Sequence, residues 1–245
     1  MRNIMVTLEY DGTGFRGWQT QKPGERTVQT TLEEAVSRVV GHPVRINGSG
    51  RTDAGVHALA QAANFHTQSE IPAGRLVHAI NYHLPLDAAV TSAREVPPDF
   101  HARYSARGKT YRYTILSRDA RSPLLLRYAW HVRSAPDIGR MREAAAHLLG
   151  EHDFQAFRSK PLVGSSSVRT ITRLDIQPRD QLIEIHVSAN GFLYNMARAI
   201  VGTLVQAGLG RLQPGDLPGI VESRDRSLAG PTAPARGLCL VEVVY

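Results

Sequence analysis

A glycine-rich segment between two strand-like stretches, Asn47–Ala58, limits most strongly what this chain can fold into. It places Gly48, Gly50 and Gly55 around a group of ionisable side chains. Glycine accepts backbone conformations and close approaches that other residues do not, so this spacing predicts a sharply bent loop. A strand-like stretch enters the loop and another leaves it, which gives the loop a rigid base. We interpret the loop as one that presents Asp53.

The charges of this loop allow two interpretations. Arg51 and Asp53 are two residues apart, and a curled loop could bring them together, so that the guanidinium keeps the carboxylate ionised. The alternative is a surface turn, since glycine-rich turns that carry a charge or two are common.

Two nucleotide-binding loops do not fit the sequence. The glycines of the Asp53 loop are spaced G-x-G-x4-G, whereas a dinucleotide fingerprint requires G-x-G-x-x-G. The stretch Gly108–Thr110 resembles the end of a P-loop, but Arg103 stands where that motif requires its first glycine. The sequence therefore gives no support to an enzyme that depends on ATP or NAD.

The length and hydrophobicity indicate a folded chain. Its 245 residues, of which 42% are hydrophobic, can form one large domain or two lobes that share a sheet. No apolar run approaches the roughly 20 residues that a membrane helix needs. The first residues begin an alternating strand pattern and lack the apolar block of a signal peptide, so we expect a cytoplasmic protein.

Cysteine and histidine give no sign of redox chemistry or of a metal. The single cysteine, Cys239, cannot form an internal disulfide, and we expect it to be a small buried hydrophobic residue. The ten histidines include no pair with a recognisable ligand spacing. We therefore expect no metal site.

The charge predicts an anionic partner. The net charge is +7, and most of the basic residues are arginines, which bind phosphate through two parallel hydrogen bonds and stack on bases. A folded basic surface of this kind suits a nucleic acid. Phe15 and Trp18 lie near Arg16, and they could either stack on bases or close one end of the core.

The hydrophobic periodicity predicts an α+β fold of two layers, in which mostly antiparallel strands alternate with a few helices. The last strand is nearly all apolar, which is typical of a central strand. Strands are predicted over residues 2–10, 44–47, 59–67, 88–95, 109–117, 124–132, 171–176, 182–187 and 238–245, and helices over 28–40, 72–81, 137–149, 193–205 and 214–223.

Five stretches in the expected order resemble the signatures of the bacterial tRNA pseudouridine synthase A (TruA) family. Five ordered matches are far more specific than any one of them alone, and the resemblance extends over essentially the whole chain. The five stretches are Leu8–Gln19, Gly50–Ala58, Phe100–Arg103 followed by Tyr111–Tyr113, Phe192–Gly202 and Ala233–Leu238.

The resemblance implies a fold and partners. Two similar lobes would share one largely antiparallel sheet, with helices on one side and a central basic cleft. We expect an N-terminal lobe over residues 1–107, which carries the Asp53 loop, and a C-terminal lobe over residues 108–245, together forming one catalytic unit. The resemblance also implies a homodimer that binds tRNA.

The reaction implied by the resemblance is the isomerisation of uridines 38, 39 and 40 of the tRNA anticodon stem-loop to pseudouridine. By motif match, Asp53 is the catalytic carboxylate and Tyr111 stacks on the target base. Arg51 and Arg198 are the neighbours of the carboxylate and of the substrate phosphate. The reaction has no net redox change and consumes no water, so no cofactor is expected.

Two alternatives remain open from the residues. Asp53 could attack C1′ of the ribose, add to C6 of the base or remove a sugar proton, and the sequence does not distinguish these routes. The chain could also be a non-catalytic RNA-binding module, in which Asp53 only caps a loop.

Overall fold

The computed structural model describes residues 1–19, 24–159 and 166–245. The chain forms two compact units, of which the first contains Met1–Arg107 together with Cys239–Tyr245 and the second contains Gly108–Leu238. Each unit combines helices with a mostly antiparallel sheet. The predicted α+β class is therefore confirmed, whereas the shared sheet and central basic cleft stay predictions.

In the first unit, the strand over residues 2–10 and the strand over residues 57–67 form the middle of the sheet. They pair antiparallel, from Arg2 with Thr67 to Leu8 with Gln61. Alternate residues of the first strand, Ile4, Val6 and Leu8, are fully buried. The helices and strands of residues 1–107 are β1 (Arg2–Tyr10), α1 (Val28–Val40), β2 (Asn47–Gly48), β3 (His57–Thr67), α2 (Ala73–His83) and β4 (Ala88–Val96).

The elements of the second unit are β5 (Gly108–Ser117), β6 (Trp130–Val132), α3 (Ile138–Ala146), β7 (Gly150–Asp153), β8 (Val168–Arg179), β9 (Leu182–Ala189), α4 (Met196–Gly208) and α5 (Leu217–Ser223). Its strands pair in the order β5-β9-β8-β7, and β6 pairs in parallel with β5. Its longest helix, α4, is buried on nearly every side.

The last strand, β10 (Leu238–Val244), belongs to the first unit, where it pairs in parallel with β3. The predicted C-terminal lobe, residues 108–245, includes this strand, because chain order alone does not show that it pairs with β3. Cys239 lies on β10 and is half-buried, so it is less enclosed than expected.

Two predicted strands are wrong over most of their length. Between α1 and the Asp53 loop only Asn47 and Gly48 pair as a strand, because side chains of α1 take the preceding amides: Ser37 accepts from Val44 N–H and Glu33 from Ile46 N–H.

In the second unit, the stretch predicted as a strand over residues 124–132 pairs only from Trp130 to Val132. The Leu125 carbonyl accepts from the amides of Tyr128 and Ala129. These bonds close a turn, and a turn cannot pair with a neighbouring strand.

Helix α1 begins and ends where its capping residues predict. Thr27 accepts a hydrogen bond from Thr30 N–H at 3.2 Å, and the Thr30 hydroxyl accepts in return from Thr27 N–H at 3.3 Å. Gly41 ends the helix in the left-handed conformation, with a φ of 77°. No helix in the described ranges is both long and apolar enough to cross a membrane.

We expect Thr27→Ala to lower the free energy of unfolding by about 1 kcal/mol, because it removes a side chain that satisfies an otherwise unpaired amide of the first turn. Thr31→Ala, inside the same helix, is the matched control, and it should lower the free energy of unfolding by less than half as much. Chemical denaturation followed by circular dichroism measures both, and equal losses would show that the cap contributes nothing.

Candidate active site

The Asp53 loop connects β2 to β3 and is closed by hydrogen bonds across its base. Ser49 N–H donates to the Ala62 carbonyl at 2.7 Å. The buried Gln61 side chain accepts from Ser49 Oγ at 2.6 Å and donates to the Gly50 carbonyl at 2.9 Å. The loop therefore has a fixed entry from the sheet.

The segment that follows β1, residues 10–18, lies directly against this loop. Trp18 N–H donates to the Thr52 carbonyl at 3.0 Å, and the Tyr10 and Thr52 hydroxyls are 2.8 Å apart. Gly12 N–H donates to Nδ1 of His57 at 3.1 Å. These bonds hold the loop on both sides of Asp53.

Two glycines allow this contact because a side chain at either position would collide with the loop. A Cβ on Gly12 would overlap the Val56 carbonyl oxygen. Gly17 has a φ of +94°, and a Cβ there would lie 2.8 Å from the Thr52 carbonyl oxygen. The backbones therefore approach more closely than any other residue would permit.

The 10–18 segment is itself held by the start of α1. Val28 N–H donates to the Gly17 carbonyl at 3.2 Å, and Gln29 N–H donates to the Trp18 carbonyl at 2.9 Å. Phe15 and Trp18 are only 2% and 3% exposed. This resolves the alternative left by the sequence: both aromatic residues close the core and neither is free to stack on a base.

Asp53 is half-buried, whereas Arg51 is exposed. Within the described part of the chain, the Arg51 side chain makes no hydrogen bond or ion pair. The pairing of Arg51 with Asp53, which their spacing allows, is therefore absent from this structure. The Arg51 guanidinium is left open to solvent.

In the second unit, Tyr111 lies on β5 and is 7% exposed. Its ring meets Phe192 edge to face, with the ring centroids 4.9 Å apart and the planes at 83°. Sequence reasoning did not single out Phe192 as a partner of Tyr111, although it opens one of the five family-like stretches. The contact fixes the plane of the Tyr111 ring.

Arg198 lies in the first turn of α4, and its guanidinium donates hydrogen bonds to two neutral acceptors. Nε donates to the Ala233 carbonyl at 2.7 Å and Nη1 donates to Oδ1 of Asn195 at 3.0 Å. Ala233 N–H in turn donates to the Arg198 carbonyl at 3.1 Å. The side chain is half-buried and does not extend freely into solvent.

Burial raises the pKa of two tyrosines near these residues well above its usual value. Tyr10 is enclosed beside Thr52, and desolvation outweighs the hydrogen bonds that would lower its pKa. Tyr113 is fully buried, and its hydroxyl donates to the Pro234 carbonyl at 2.8 Å. Both hydroxyls therefore stay protonated at neutral pH and act as structural groups.

In the part of the chain that the structure describes, no group of three or more histidine, cysteine, aspartate or glutamate side chains could hold a metal ion. The polar groups assembled around the Asp53 loop include hydroxyls, amides, the His57 imidazole and the Asp11 carboxylate, whose Oδ1 lies 3.2 Å from Nδ1 of His57.

Comparison with known proteins identifies the family. A family model described as tRNA pseudouridine synthase matches residues 6–105 and 144–245. The chain belongs to the tRNA pseudouridine synthase family. It is therefore an isomerase that acts on uridine in tRNA. The matched ranges contain Asp53 and Arg198, whereas Tyr111 lies between them.

Relatives of this synthase align over the whole chain. Proteins named tRNA pseudouridine synthase A are 48% identical in Acetivibrio thermocellus, 47% in Caldicellulosiruptor bescii and 46% in Thermoanaerobacter sp. strain X514. Each alignment covers 100% of both proteins. This full-length similarity excludes the alternative of a non-catalytic RNA-binding module.

We expect Gly17→Ala to reduce pseudouridine formation in tRNA by about tenfold or more, because a small misplacement of reacting groups is costly. Gly41→Ala is the matched control: its φ is +77°, but a Cβ there meets nothing within 4 Å. Both variants carry the left-handed backbone cost of about 1–2 kcal/mol. Rate assays on both, with thermal unfolding, separate the effects, and equal rate losses would contradict the role given to the contact.

Proposed function

We propose that this synthase converts uridines 38, 39 and 40 of the tRNA anticodon stem-loop to pseudouridine, with Asp53 as the catalytic carboxylate. The proposal rests on the loop of Asp53, whose backbone is held on both sides of Asp53 by hydrogen bonds to the 10–18 segment. The five family-like stretches support the choice of tRNA positions, and the net charge of +7 supports binding of the phosphate backbone.

The chemistry requires one well-placed carboxylate. Converting uridine to pseudouridine breaks the bond between ribose C1′ and N1, turns the base and joins C1′ to C5. Asp53 can attack C1′, add to C6 or remove a sugar proton, and the first two routes are covalent catalysis. Each route needs the carboxylate within about 3–3.5 Å of the reacting atom. A loop that is fixed before substrate binds meets this requirement without further ordering.

Tyr111 is proposed to stack on the target base. A base inside a stem must leave the helix before an enzyme can reach it, at a cost of a few kcal/mol. Stacking on an aromatic ring returns about 1–3 kcal/mol. The edge-to-face contact with Phe192 supports this role, because it holds the Tyr111 ring in one plane.

Arg198 is proposed to bind the substrate phosphate. Arg51 is proposed to act next to the carboxylate of Asp53. Among the contacts that orient Arg198 are hydrogen bonds to a backbone carbonyl and to an amide oxygen. Arg51 does not pair with Asp53 in this structure, but its exposed side chain can turn toward the carboxylate when tRNA binds. The proposal includes a homodimer, for which the family resemblance is the support, and recognition of the RNA by shape, because three neighbouring positions are modified.

Asp53→Asn removes the charge and keeps the shape, so we expect single-turnover pseudouridine formation to fall about 10²–10⁴-fold while tRNA still binds. The exposed Asp99 in the same unit provides the control, and Asp99→Asn should keep the wild-type rate. Incubation with an unmodified tRNA transcript and chemical mapping of pseudouridine give rate and position together. A wild-type rate in Asp53→Asn would refute the catalytic assignment.

Tyr111 variants test stacking separately from hydroxyl chemistry. Tyr111→Phe keeps the ring and should stay within about threefold of the wild-type rate, whereas Tyr111→Ala should lose roughly 5- to 150-fold, the equivalent of one stacked base. Tyr82→Ala, at an 85% exposed position, is the control. Equal losses in the phenylalanine and alanine variants would instead assign proton chemistry to the hydroxyl.

A further inference from the structure

The carbonyl that orients Arg198 belongs to a short segment, residues 229–233, which lies against α4. Gly230 N–H donates to Thr203 Oγ1 at 2.9 Å, and Thr203 Oγ1 donates to the Ala199 carbonyl at 2.8 Å. A Cβ on Gly202 would overlap the Pro231 carbonyl oxygen. The 229–233 segment is therefore pressed onto the same helix that carries Arg198.

A second arginine holds this segment from its other end. Arg226 Nη1 donates to the carbonyls of Gly230 at 2.8 Å and Ala229 at 3.3 Å, and Nη2 donates to Thr232 Oγ1 at 2.9 Å. A planar guanidinium can reach these three acceptors together because its N–H groups have a fixed fork geometry. Arg226 thus fixes the segment immediately before Ala233.

The environment of Arg226 argues against a direct contact with RNA. The side chain is half-buried, and burial lowers its pKa. No carboxylate among the described residues pairs with it, and both of its terminal nitrogens already donate to the 229–233 segment. An arginine enclosed by neutral acceptors of one segment is a structural clamp for that segment.

We propose that Arg226 is a positioning residue for the tRNA reaction: it holds the 229–233 segment so that the Ala233 carbonyl orients the Arg198 guanidinium. The inference rests on the proposed role of Arg198. Arg226 holds residues 229, 230 and 232, and Arg198 takes the next carbonyl, that of Ala233. Releasing the clamp frees that carbonyl and lets the Arg198 guanidinium turn.

A double-mutant cycle tests this coupling. Arg226→Gln should lower the single-turnover rate on unmodified tRNA by about tenfold or more. Arg226→Lys should lower it by less, because the ammonium keeps the charge and part of the hydrogen bonding, although it cannot serve all the acceptors at once. Arg224→Gln is the matched control: Arg224 pairs with Asp153 at 2.9 Å, and this variant should stay within about twofold of the wild-type rate.

In an Arg198→Gln background, adding Arg226→Gln should change the rate by less than about twofold, because coupled residues are not additive. Losses that multiply would overturn the proposal, since they would mean that Arg226 supports the fold independently of Arg198. A wild-type rate in Arg226→Gln would overturn it too. A wild-type rate in Arg198→Gln alone would remove the proposed role of Arg198 and this inference with it, and leave the Asp53 assignment untouched.

If Arg226→Gln does not fold, Thr232→Val carries the same test, because it removes one acceptor and keeps Arg226. We expect a loss of about two- to fivefold in the wild-type background, which lies in the lower part of the range for one typical hydrogen bond, because Arg226 keeps its other two acceptors. In the Arg198→Gln background we expect no loss. Equal losses in both backgrounds would contradict the coupling.

Discussion

The close approach of two backbones in the first unit is the constraint on which the account of this synthase depends. Residues 10–18 lie against the Asp53 loop, and Gly12 and Gly17 leave no room there for a side chain. The contact is polar as well as tight, because Thr52 bonds to Trp18 through its carbonyl and to Tyr10 through its hydroxyl. Interiors packed this closely transmit a displacement of one segment directly to the next.

The same logic extends outward from the site. The start of α1 donates hydrogen bonds to the carbonyls of Gly17 and Trp18, and the Trp18 amide donates to Thr52, the residue before Asp53. The second unit contains a comparable arrangement, in which the 229–233 segment lies on α4 and orients Arg198 through the Ala233 carbonyl. In both units, hydrogen bonds to its backbone hold a short irregular segment in place, and that segment helps to position a charged residue. The segment is 10–18 for Asp53 and 229–233 for Arg198. Such preorganisation reduces the ordering that substrate binding must otherwise accomplish.

Local signals predicted much of the fold. Helix α1 follows from Thr27, Gly41 and the apolar spacing between them, because capping is chemistry between near neighbours. The failed strand over residues 124–132 has the opposite cause: its apolar composition suits a strand, but the hydrogen bonds to Leu125 close a turn. Periodicity reports which residues are apolar, whereas pairing depends on which partners reach the amides.

The site shows the same division. Asp53 stands out in the sequence because the glycines of its loop lie close to it along the chain. The contact with residues 10–18 joins positions about 40 residues apart, and it leaves no local sequence pattern. The edge contact of Phe192 with Tyr111 and the grip of Arg226 on the 229–233 segment depend equally on tertiary structure. Phe15 and Trp18 illustrate the limit, since aromatic residues near an arginine fit both a binding loop and a core, and only their burial distinguishes the two.

Hydrogen exchange at the Trp18 amide, followed by NMR, tests the clamp most directly. This amide donates to the Thr52 carbonyl, so its exchange reports opening of the contact that holds the loop. Relative to the amides of exposed residues 119–121, we predict exchange slower by about two orders of magnitude or more in the free protein, as for amides in stable structure. Exchange as fast as in that exposed stretch would show that the loop is not fixed before tRNA binds, and would contradict the account.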